Sequence, residues 1–123
     1  MADSAAGPAV TGSGARRGSR AEELPAVRVG ATMPREEAER RAALLKAVAD
    51  PARLQVLGIV RGSPAGEACV RDLAEAVGLS QPTMSHHLRI LVEAGLLTRE
   101  RRGTWAWYTL VPERLAHVGT LLD

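Results

Sequence analysis

Cysteine is nearly missing from these 123 residues: Cys69 stands alone, which excludes an intrachain disulfide and a cysteine-based zinc finger and leaves apolar burial to hold the fold. Aromatic residues are almost as scarce. There is no phenylalanine, and Trp105, Trp107 and Tyr108 are the whole aromatic complement, a pattern unlike the repeated stacking positions of a single-strand or RNA-binding sheet. No apolar run reaches the roughly 18 residues of a membrane span. The N-terminus, with Asp3 and scattered Gly and Pro, lacks the charged-then-apolar order of a secretory signal, so a cytoplasmic protein is expected. Three histidines and one cysteine do not assemble a nucleophile, a base and an orienting acid, and the chain has no phosphate loop. Neither an enzyme nor a bound cofactor is expected. Lysine is also rare: Lys46 is the single one among 16 basic residues, with a net charge of +2. The basic surface is therefore made of arginine, whose planar fork suits phosphates and guanine edges.

What is present divides the chain in two. Residues 1–33 are rich in Ala, Gly, Ser and Pro with no apolar period, the composition of a disordered tail whose Arg16, Arg17, Arg20 and Arg28 are partly offset by Glu22 and Glu23. Residues 34–123 form the expected domain, small enough that dimerisation should support it. A first helix is expected over 34–49, with Ala38, Ala42, Leu45 and Val48 on one stripe. Asp50-Pro51 reads as an N-cap and first-turn proline opening a second helix that ends at Gly62. Its apolar residues go round nearly the whole circumference, which marks it as the central helix. Val70, Leu73, Ala74 and Val77 repeat at helical spacing in a short third helix stopped by Gly78, and Ser80 caps a fourth over 81–94 with Met84, Leu88 and Leu91 inward. From Leu96 the period changes to two strands turning at Arg101-Arg102-Gly103, followed by a last helix from Pro112 through Leu115, Val118, Leu121 and Leu122.

The offsets of Ala74, Gly78 and Met84 carry the sharpest signal. A small residue lets the next helix cross closely, a glycine takes the turn, and an apolar residue locks the second helix on the first. With a basic hairpin behind it, this is the pattern of a winged helix-turn-helix: mainly α, ordered α1-α2-α3-α4-β-β-α5, dimeric. If Met84, Leu88 and Leu91 face inward, Gln81, Thr83, Ser85, His86 and Arg89 are placed to meet base edges and phosphates of double-stranded DNA. Arg99, Arg101 and Arg102 surround the hairpin turn, where they can lie along the phosphate backbone or a minor groove. His87 flanks the core stripe and reads as a structural, hydrogen-bonded histidine. Strand alternation puts Trp105 and Trp107 on one face and Tyr108 on the other.

The stretches Leu44-Leu45-Lys46-Ala47-Val48-Ala49-Asp50-Pro51-Ala52-Arg53-Leu54, Leu79-Ser80-Gln81-Pro82-Thr83-Met84-Ser85-His86-His87-Leu88 and Glu93-Ala94-Gly95-Leu96-Leu97, with the hairpin from Gly103 to Tyr108, resemble the ArsR/SmtB family of small winged-helix repressors over nearly all of 38–122. The resemblance implies a homodimer built from the first and last helices, an operator of inverted symmetry, and repression until an inducer binds; Gln81, Ser85 and His86 match family positions that read DNA. The arsenic-sensing members carry a Cys-Val-Cys-Asp-Leu box where this chain has Cys69-Val70-Arg71-Asp72-Leu73. Arginine is no ligand, and its fixed charge opposes a cation. Other members hold zinc or nickel between terminal helices, for which Glu113 and His117 are the candidates here. Cys69 beside Arg71 is a candidate redox thiol. The inducer is not evident, and the two competing readings are a metal- or redox-responsive repressor using Cys69 or Glu113 and His117, and a protein-interaction module on the same fold that does not bind DNA.

Overall fold

The computed structural model describes residues 28–123. Residues 28–34 carry no helix or strand, and the rest of the expected tail, with Arg16, Arg17 and Arg20, lies outside the described residues. Among the described residues, the regular elements fall within the unit Met33–Asp123, in the order α1 (Arg35–Val48), α2 (Pro51–Gly62), a 3-10 turn (Pro64–Gly66), β1 (Glu67–Cys69), α3 (Val70–Val77), α4 (Gln81–Glu93), β2 (Leu97–Arg102), β3 (Trp105–Leu110) and α5 (Pro112–Val118). Among these residues no helix is long and apolar enough to cross a membrane.

Punctuation residues act where the sequence places them. Asp50 caps α2, its carboxylate accepting from the Arg53 N–H at 3.1 Å with Pro51 in the first turn. Gly78 takes φ +82°, and both its N–H and that of Leu79 return to the Ala74 carbonyl, closing α3. Ser80 then caps α4 by accepting from the Thr83 N–H. The α4 seam is the centre of the molecule: Met84, Leu88 and Leu91 are wholly buried, packed with Val56, Val60, Leu73, Leu96 and Leu97.

Several expectations are corrected. α2 buries one side only, Val56, Leu57 and Val60, and leaves Leu54 57% exposed, so its apolar circumference is not covered all round. On α1 the inward seam is Leu44, Ala47 and Val48; Ala42 is exposed and Leu45 only half-buried. Alanines bring little apolar area, so the helix rotates to bury Leu44. The sheet has three strands in the order β1-β3-β2, all antiparallel. Its extra strand β1 is only three residues long, too short to show alternation, and exists because β3 needs a partner on its far edge. Arg102 pairs with Trp105, so the hairpin turn is Gly103-Thr104, with Arg101 and Arg102 inside β2. Gly103 has φ +61° and Thr104 has no positive φ, the signs of a type II′ turn with glycine first. The last helix ends at Val118; turns follow that bury Leu121 and leave Leu122 88% exposed.

Candidate nucleic-acid interface

The buried seam of α4 decides what its other side shows. Gln81, Thr83, Ser85, His86 and Arg89 are all exposed, and the helix begins in a free N-terminal turn whose capping hydroxyl is engaged: Ser80 Oγ donates to Thr83 Oγ1 at 3.0 Å. Thr83 still has its own O–H to give. Ser85 and Arg89 meet Arg99 and the edge of Tyr108 across a groove of about 280 Å³ between α4 and the sheet. The helix face and the wing are therefore joined in one surface.

Strand register sorts the three wing arginines. In β3, Ala106 and Tyr108 are buried on the helix side, while Trp105, Trp107 and Thr109 occupy the other face. Arg99 pairs with Tyr108 and Arg101 with Ala106, so both belong to the α4 side. They are exposed and form no ion pair among the described residues. Arg102 pairs with Trp105 and is on the opposite face. There its guanidinium donates twice to Glu67 of β1 at 2.8 Å and again to Glu100 at 2.8 Å, with its carbon 5.0 Å from the Trp107 ring centroid. The hydrogen bonds from Arg102 hold the Glu67 carboxyl below its ordinary range, and the two carboxylates raise Arg102 further. Arg102 stays at the surface but is thus committed to partners of its own chain.

Arg53 is the positioning residue that sequence reasoning missed. Its guanidinium donates to the Ala47 carbonyl at 2.6 Å and to that of Lys46 at 3.4 Å, at the end of α1, and meets His87 Nδ1 on α4 at 3.0 Å. Arginine is always a donor, so Nδ1 accepts and a neutral ring carries its proton on Nε2. Asp50 completes the group, with Oδ2 3.8 Å from His87 Nδ1; its carboxyl is held below the ordinary value first by the Arg53 N–H and then by the Arg53 charge. One side chain thus ties α1, α2 and α4 together, and His87 has the structural role expected of it. From the other end, Arg114 of α5 donates to the Ala94 carbonyl at 3.1 Å, satisfying the C-terminus of α4.

The metal candidates stay separate. Cys69 is a buried free thiol at the start of α3. Glu113 and His117 are exposed on α5, and His117 shares a hollow with Arg40, Arg41 and Arg114. Among the described residues no three His, Cys, Asp or Glu side chains group as a metal site.

Comparison with known proteins agrees with this geometry. Residues 50–99, from the α2 cap to the wing, match the model of the bacterial regulatory protein arsR family. The chain is 36% identical over 88 residues to an uncharacterized helix-turn-helix-type transcriptional regulator of Methanocaldococcus jannaschii, covering 72% of this chain and 97% of that one. It is 39% identical over 85 residues to the transcriptional repressor SmtB of Mycobacterium tuberculosis, covering 69% of this chain and 61% of the repressor. The fold superposes, with a TM-score of 0.59 and 29% identity, on a homodimeric winged helix-turn-helix DNA-binding domain of Mycobacterium bovis, over 76% of this chain and 86% of that domain. The chain therefore belongs to the arsR family of bacterial regulatory proteins, transcriptional regulators rather than enzymes, built on the winged helix-turn-helix.

Proposed function

We propose that this regulator acts in the cytoplasm as a homodimeric repressor that seats α4 of each protomer in the major groove of an operator with inverted symmetry. The observation that carries the reading is the division of α4: Met84, Leu88 and Leu91 are wholly buried, while Ser85, His86 and Arg89 are exposed beside Arg99. Gln81, Ser85 and His86 are of the size and polarity to exchange hydrogen bonds with base edges, Thr83 can donate to a phosphate, and Arg89 can reach a guanine or a phosphate. Arg99 and Arg101 add phosphate contacts from the wing. Arg102 is left out of this set because Glu67 and Glu100 already neutralise it.

Dimerisation through α1 and α5 is supported by the apolar residues that these helices and the turns after α5 leave uncovered, Leu45, Leu115 and Val118 half-buried and Leu122 88% exposed, and by the homodimeric state of the Mycobacterium bovis domain. The DNA-binding and dimerising unit is 34–123, with the preceding segment outside it. Selection from a pool of random duplexes, followed by sedimentation of the complex, tests the proposal. It predicts an enriched inverted repeat whose half-sites are one helical turn apart, about 10 base pairs, bound by two chains. Enrichment of no sequence, or binding by one chain to a single half-site, contradicts it.

A further inference from the structure

The face of the sheet turned away from α4 carries a second feature. Where β1 and β3 meet α3 and the end of α2, a cleft of about 470 Å³ opens, with Ile59, Leu73, Ala76 and the Trp107 ring as apolar walls and the carboxylates of Glu67 and Asp72 on its rim. That volume is in the range of small-molecule sites. No lysine, arginine or histidine lines it. Asp72 is weakly occupied: its nearest cation, Arg71 Nε, is 3.7 Å away, and both side chains are largely exposed. Glu67 accepts two hydrogen bonds from Arg102 and one from Thr109, which leaves one of a carboxylate's roughly four accepting positions.

The chemistry this wall recognises is already displayed by the protein itself. The Arg102 guanidinium lies over Trp107 and forks onto Glu67, so this aromatic and this carboxylate together bind a flat organic cation. Aromatic faces attract cations by their quadrupole, and a nearby carboxylate adds direct attraction. Arg102 sits on these two groups from outside the cleft lining; the cleft adds to them a second carboxylate, Asp72, whose nearest cation is 3.7 Å away, and an apolar floor.

We propose that this cleft is a binding site for a small organic cation, an amine or quaternary ammonium on a compact apolar or aromatic body. The body packs against Ile59, Ala76 and Trp107, and the charge faces Asp72 and Glu67. Glu67 also holds Arg102 of the wing, so occupancy and the set of the wing are linked. Whatever factor the ligand applies to DNA affinity, DNA applies to ligand affinity. That consequence rests on the DNA-binding reading; the binding site itself does not.

Both tryptophans are on this face, so titration of the full chain with benzyltrimethylammonium, followed by tryptophan fluorescence and calorimetry without DNA, tests the site. Benzyl alcohol and phenylacetate serve as the neutral and anionic comparators. The expected result is saturable binding of the cation with a Kd at or below about 1 mM, a weak affinity of small-ligand size, and at least tenfold weaker binding of both comparators. Asp72→Asn should weaken the cation about fivefold, and Ala76→Leu, which fills the cleft from an exposed helix position without changing charge, should abolish binding. Thermal melts confirm that both variants are folded. Equal binding of cation and alcohol, no saturation up to about 10 mM, or a cation affinity untouched by Ala76→Leu overturns the proposal. A gel shift on the same preparations reads DNA binding separately, so failure of the cleft and failure of the interface are distinguishable.

Discussion

Strand register makes a sharp distinction between two neighbouring arginines. Arg101 is exposed on the α4 side of the sheet, paired across the strands with Ala106, and Arg102 is on the other side under two carboxylates. If Arg101 neutralises a DNA phosphate, its removal lowers the slope of log K against log salt by ~0.9 per phosphate contact. Between 50 and 200 mM salt, a fourfold change, one contact is then worth a factor of ~3.5, and the two wings of a dimer together ~12. Arg101→Ala should therefore flatten the salt dependence by ~1.8 slope units in a dimer and weaken every duplex alike. Arg102→Ala should leave the slope where it is, since that charge already has partners in the free protein. The assay is a fluorescence-anisotropy titration of wild type and both variants on one duplex at four or five salt concentrations. Equal loss of slope in the two variants refutes the assignment of faces.

Three further outcomes follow from the packing and the charges. Leu88 is wholly buried at the centre of α4, so Leu88→Ala should cost about 2–5 kcal/mol in urea unfolding of the dimer; a loss under about 1 kcal/mol would show that α4 is not the core. Ala65 has φ +58° in the 3-10 turn, a left-handed conformation that costs an L-residue about 1–2 kcal/mol. Ala65→Gly should raise stability by up to about 1 kcal/mol after the larger entropy of the unfolded glycine chain is subtracted; a destabilised variant contradicts that account of the turn. The carboxyls of Asp50, Glu37 and Glu67 are all held below their ordinary values of 3.8 and 4.5, first by the Arg53 N–H, the Arg41 side chain and the Arg102 side chain respectively. The folded protein keeps these groups charged to lower pH than the unfolded chain does. Their contribution is complete above the ordinary values and disappears as pH falls through the lowered ones. Urea midpoints should fall below about pH 4, less steeply in Asp50→Asn; an acid arm of the same slope in that variant would remove Asp50 from the explanation.

The helix-turn-helix could be read from the chain because its signals are local. Gly78 at positive φ, Ser80 as a cap and the Met84, Leu88 and Leu91 seam each act within one or two turns. Elements that depend on distant partners leave no such local signal. β1 is set by pairing with β3 some 40 residues later, and the bend after Val118 is set by burial of Leu121 and by Arg41, which donates to the Leu121 carbonyl from α1. Spacing alone puts Ala38, Ala42, Leu45 and Val48 on the α1 stripe; side-chain size turns the helix so that Leu44 goes inward with Ala47 and Val48. Nothing local marks Arg53, because its three partners on α1 and α4 are brought together only by the fold. Strand parity alone separates Arg102 from Arg99 and Arg101, but a turn expected at Arg101-Arg102-Gly103 takes Arg101 and Arg102 out of the strand and hides it.

The claim on which the rest depends is that the outward hydroxyl and imidazole of α4 read sequence, while the wing supplies charge. Competition titration of Ser85→Ala and His86→Ala against the selected inverted repeat and a scrambled duplex, at one fixed salt concentration, tests it most directly. Each variant should lose about 1–3 kcal/mol on the repeat and bind the scrambled duplex as wild type does. Equal losses on both duplexes, or none on either, would contradict it.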